Sequence, residues 1–173
     1  MTEQERPAAD SSQQVHLLAH EDNIRFAFSD ADRSAQHDGE ALKRKYTLLQ
    51  EGKIPLEEFS ASEIKILVTE VKHPAVEGSP LRFFPKDLFV SRLLLQKVSA
   101  DEAITAFIRH THDEAWLLVA DSVPVPKKAD KMRWSTPTSE FRSARGIDFV
   151  VISSTYDYST LIFLPEEDYW GEW

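Results

Sequence analysis

The chain has 173 residues, no cysteine and a formal net charge of −9. Its length suits one domain able to bury a core without crosslinks. The lack of cysteine excludes disulfides, thiolate metal sites, iron–sulfur ligation and a thiol nucleophile, and an acidic surface repels nucleic acid and anionic membranes.

The charge is unevenly placed. Residues 1–126 carry a net −7. Residues 127–146 carry a net +4, with Lys127, Lys128, Lys131, Arg133, Arg142 and Arg145 against Asp130 and Glu140, and residues 147–173 hold six acids and no Lys or Arg. A basic segment therefore precedes a purely acidic end.

In chain order, residues 1–14, MTEQERPAADSSQQ, hold no apolar run. They read as a disordered arm rather than a secretory signal. No later stretch reaches the 18 apolar residues of a membrane span, so the expectation is a soluble, cytoplasmic protein. Residues 14–20 and 23–29 read as a hairpin, because Ile24, Phe26 and Phe28 alternate with Arg25 and Ala27. The segment 34–52 reads as a helix, with Leu42, Tyr46 and Leu49 at helical spacing and Gly52 where a left-handed glycine ends one.

Residues 62–73 are ambiguous. Ile64, Leu67, Val68 and Val71 fit the helical spacing while their β-branching favours a strand, and the helical template accounts for more positions, with Pro74 as a stop. Residues 84–98 read as a helix opened by Pro85. Ser99 and Glu102 match a capping box for the next helix, whose buried stripe is Ile104, Phe107 and Ile108. From Glu114 the period shortens: 115–125 reads as a buried strand and 146–165 as a hairpin turning near Tyr156 and Asp157. Between them lies a basic loop, 126–145, with no clear period and a length that is uncommon inside a compact domain. The sum is an α+β fold. A single domain spans 15–173, with a small, mostly antiparallel sheet from strands near both chain ends packed against central helices.

Chemistry has one candidate cluster. His110 and His112 beside Asp113 and Glu114 combine imidazoles that titrate near neutrality with carboxylates able to fix their tautomer, as a metal-dependent hydrolase or nucleic-acid-processing enzyme requires. Against this, residues i and i+2 do not share a helix face, and histidines at a helix C-terminus are stabilised by its dipole. His16 and His20 lie roughly 13 Å apart on a strand, too far for one ion, and His37 and His73 have no companions in sequence. Gly-rich phosphate loops, GxSxG and HExxH are absent, and Ser153 and Ser154 have no visible base. No cofactor is implied. Trp134 and Phe141 within the basic stretch 127–145 supply the one footprint for nucleic acid.

The acidic end offers more. Asp157 and Tyr158 at a hairpin tip, then Glu166, Glu167, Asp168, Tyr169, Trp170 and Glu172, pair carboxylates that steer a basic partner with aromatics that anchor it. Trp170 and Trp173 also fit a role in closing the core. The functional expectation is a non-catalytic acidic protein that neutralises a basic protein, such as a nuclease or nucleic-acid-binding protein, in the manner of immunity proteins, antitoxins or phage inhibitors. The enzyme reading, with His110, His112 and Asp113 as metal ligands, is the alternative.

Overall fold

The computed structural model describes residues 23–28, 39–70, 76, 78–112, 137–154 and 157–167. Its strands are β1 (Asn23–Ala27), β2 (Asp87–Ser91), β3 (Thr138–Arg142), β4 (Asp148–Ser153) and β5 (Ser159–Phe163), and its helices are α1 (Gly39–Gln50), α2 (Ala61–Thr69), α3 (Arg92–Leu95) and α4 (Ala100–His112). They form a single α+β domain. One mixed sheet runs in the order β1-β2-β5-β4-β3, antiparallel at every junction but β2–β5.

The local signals explain most of these elements. Gly52 closes α1 at φ 70°, with Gly52 N–H donating to the Leu49 carbonyl and Lys53 N–H to that of Leu48, the paired bonds of a left-handed C-terminus. The described part of the segment 62–73 is helix through Thr69: α2 starts at a capping box in which Ser60 accepts from Glu63 N–H and Glu63 reaches back to Ser60 N–H. Ser99 and Glu102 form the same reciprocal pair before α4. Ile104, Phe107 and Ile108 are all buried there, each contributing about 1.5–3 kcal/mol.

One element departs from expectation. Residues 84–98 do not form a helix; β2 occupies Asp87–Ser91, and only Arg92–Leu95 turn helically, capped by the Ser91 hydroxyl on Leu94 N–H. Leu88, Phe89 and Val90 are consecutive and buried because β2 lies inside the sheet with both faces covered, and such strands read as unbroken apolar runs. The apolar positions of a helix here would have encircled it, with no single face to bury.

The basic stretch also differs in part. Thr138–Arg142 is an edge strand, with Ser139 buried, Phe141 half-buried and Glu140 and Arg142 exposed. Arg142 grips Asp148 across the hairpin at 2.7 and 3.1 Å. The expected hairpin at 146–165 is present as β4 and β5. The proposed strands at 14–20 and 115–125 lie outside the described residues, as do the arm at 1–14 and Trp173; β1 pairs with β2 from the middle of the chain.

Cross-strand register sorts the sheet into two faces. Ile24, Val90, Ile162, Val151 and Ser139 sit opposite one another in turn and face α1, α2 and α4. On the reverse face Phe89, Leu161, Ile152, Val150 and Phe163 form a second, smaller buried group. No described helix is long and apolar enough to cross a membrane.

Candidate functional site

Helix α4 carries its histidines toward the strand ends, but two residues along a helix turn about 200°, so the imidazoles diverge. His110 points into the sheet and is fully buried. Its Nδ1 is 2.7 Å from Ser139 Oγ and its Nε2 is 2.8 Å from Ser153 Oγ, which in turn lies 2.7 Å from Thr160 Oγ1. The Phe83 ring stands edge-on against the imidazole, with centroids 5.4 Å apart. His112 instead returns its Nδ1–H to the Ile108 carbonyl at 2.9 Å, beside the Thr111 hydroxyl.

Burial lowers the His110 pKa to about 3, because desolvation penalises the charged ring and no carboxylate among the described residues compensates it. The ring is therefore neutral at pH 7, one nitrogen donating and the other accepting, and hydroxyl partners satisfy either tautomer. Ser153 does acquire a base in space that sequence denied it. Yet Ser153 is 4% exposed and His110 and Thr160 are at 0%, so the pair meets no solvent and no substrate. What these groups do is complete one another's hydrogen bonds within the core. Their signal in sequence is polarity at positions of β3, β4 and β5 that face the helices, where alternation leads one to expect apolar residues.

Asp113 lies outside the described residues, as do Asp168, Tyr169, Trp170, Glu172, His16, His20, His37 and His73. Among the described residues no three His, Asp or Glu side chains group in a way that could hold a metal.

The described members of the acidic set fall at opposite ends of β5. At one end Asp157 accepts from both the Ser159 N–H, at 3.1 Å, and the Ser159 hydroxyl, at 2.7 Å. Tyr158 follows at φ 58°, its carbonyl accepting from Lys86 N–H and its ring lying under Lys86 Nζ at 5.4 Å. It is 58% exposed, above any other large apolar or aromatic side chain described.

At the other end Pro165–Glu167 make a 3-10 turn. Glu166 pairs with Lys97 at 3.0 Å, and a hydrogen bond from its own backbone N–H, with Lys97 second, holds its carboxyl below the usual range. Glu167 accepts from the Ser91 hydroxyl at 2.5 Å and from Leu164 N–H at 2.7 Å. These two acids, unexplained by their neighbours in sequence, thus find partners in the segment 91–97. The charge balance carries the same lesson: 13 Lys and Arg meet 14 Asp and Glu among the described residues, so nearly all of the −9 belongs to the remaining positions.

No known protein family, curated protein or solved structure matches the chain.

Proposed function

We propose that this chain is a non-catalytic protein that captures a basic protein and covers its working surface, as immunity proteins, antitoxins and phage inhibitors do to nucleases and nucleic-acid-binding proteins. The observation that carries the reading is the β4–β5 tip. Tyr158 holds a left-handed backbone while presenting its ring to solvent. That conformation costs a non-glycine residue roughly 1–2 kcal/mol, and strain of this kind concentrates at binding sites. Glycine or asparagine would relieve it, yet an aromatic suited to anchoring an interface stands there. Asp157 and Glu166 are exposed nearby and at the far end of β5, and the net charge of −9 draws cationic surfaces. The sealed environment of His110 supports the non-catalytic half of the reading.

The test starts from the partner that co-purifies with the tagged chain, identified and then titrated against wild type and a Tyr158→Gly variant. The expected result is a partner rich in Lys and Arg, association that slows as salt rises, and affinity at least about tenfold weaker in the variant. The variant keeps its fold, since glycine accepts this φ freely. An acidic partner, or an unchanged affinity in Tyr158→Gly, sinks the proposal.

A further inference from the structure

Among the described residues strand β1 is an edge of the sheet. Phe28 N–H donates to the Lys86 carbonyl at 2.8 Å, which sets the alternation: Phe26 and Ile24, in step with Phe28, turn their backbone groups toward β2. Asn23, Arg25 and Ala27 turn theirs outward, where nothing among the described residues pairs with them. Edges are usually blunted by proline, a bulge or an exposed lysine. β1 has none of these, and its one charge, Arg25, is tied to Asp87 at 2.9 Å.

Beside this edge lies a groove of about 380 Å³, walled by Ile24, Phe26, Phe59 and Ala61 and rimmed by Glu57 and Ser62. That volume holds a few side chains of an extended peptide, whose alternate residues face the same side. The helix end at Ala61 is already closed by Ser60 and Glu63, so it offers no anion site. The lining carries one carboxylate instead, Glu57, 44% exposed and paired with Arg92, and one cation, Arg25, held by Asp87. At the start of the strand the Asn23 side-chain amide is buried with neither atom hydrogen-bonded, an arrangement that costs stability.

We propose that the outer edge of β1 and this groove form the docking site for an extended segment of the basic partner. The segment adds as a sixth strand, with apolar side chains at alternate positions in the groove and Lys or Arg flanking them near Glu57. Backbone bonds supply the affinity and the groove the selectivity. This rests on the basic-partner reading for the charge of the occupant, and on β1 alone for its extended shape.

The probes are two synthetic peptides alternating Val with Lys or Val with Glu, titrated against the full chain by fluorescence anisotropy. Ala27→Pro removes one outward N–H and leaves the bonds of Phe26 and Phe28 to β2. Ala61→Trp fills the groove without touching β1. Circular dichroism melts confirm that both variants fold. The Lys peptide is expected to bind wild type and to weaken at least about tenfold in each variant, and N-methylation of its alternate amides to abolish binding. Equal binding to wild type and variants, or none at all, overturns the site. A wild-type dimer that Ala27→Pro dissolves also overturns it, since the edge then takes a second copy. Preference for the Glu peptide, lost in both variants, overturns the basic occupant and the functional reading together. Loss of the Lys peptide in the edge variants, alongside an unchanged partner affinity in Tyr158→Gly, supports the groove and sinks the functional reading that the tip carries.

Discussion

The β4–β5 hairpin holds two polar regions one rung apart, and they are built on opposite terms. In the Ser153–Thr160 rung, together with His110 and Ser139, the hydroxyls and ring nitrogens are paired out of reach of water. At the adjoining tip, Asp157 and Tyr158 stand in solvent on a strained backbone. The histidine that invites a catalytic reading is a core residue completed by hydroxyls, whereas the less conspicuous tyrosine bears the strain. Residue type alone points toward the first region; environment points toward the second.

The largest expected effect concerns the charge state of His110. Its pKa is near 6.5 in the unfolded chain and about 3 in the fold, so the unfolded state binds more protons between those values. The stability His110 contributes is complete above pH 6.5 and is lost as pH falls toward 3, at about 1.4 kcal/mol per pH unit. Urea midpoints measured from pH 7 to 4 are expected to follow that slope, and a His110→Gln variant to flatten it. An equal slope in both proteins would place the proton elsewhere and break the contrast.

Next in size is Ser153→Ala, which leaves one ring nitrogen of His110 and the Thr160 hydroxyl without a buried partner and is expected to cost about 1–3 kcal/mol in chemical denaturation. Tyr158→Gly sharpens the comparison from the other side. Relief of the left-handed strain and the greater freedom of glycine when unfolded oppose each other, so its melting midpoint is expected to stay within a few degrees of wild type.

The smallest effects separate two adjacent acids. Glu166→Lys, exposed and on a rim ion pair, is expected to leave stability unchanged while slowing association with a basic partner. Glu167→Gln weakens charge-assisted bonds to Ser91 and Leu164 N–H and is expected to lower the melting midpoint measurably. A reversal of that order would show that the exposed acid, not the tethered one, supports the fold.

Sequence alone determined the α+β class, three of the four helices, the capping box at Ser99 and Glu102, the glycine stop at Gly52 and the β4–β5 hairpin. Each follows from interactions within a few residues, where spacing and side-chain type suffice. Only the tertiary structure decided that residues 87–91 form an interior strand, that β2 and β5 run parallel, and that Ser139, Ser153 and Thr160 enclose His110. It likewise joined Glu166 to Lys97 and Glu167 to Ser91. In each of these cases the partners stand far apart in the chain and local propensity is silent or misleading. Burial and charge compensation are properties of the assembled sheet and its helices, and they choose between conformations that the local sequence leaves nearly equal in energy.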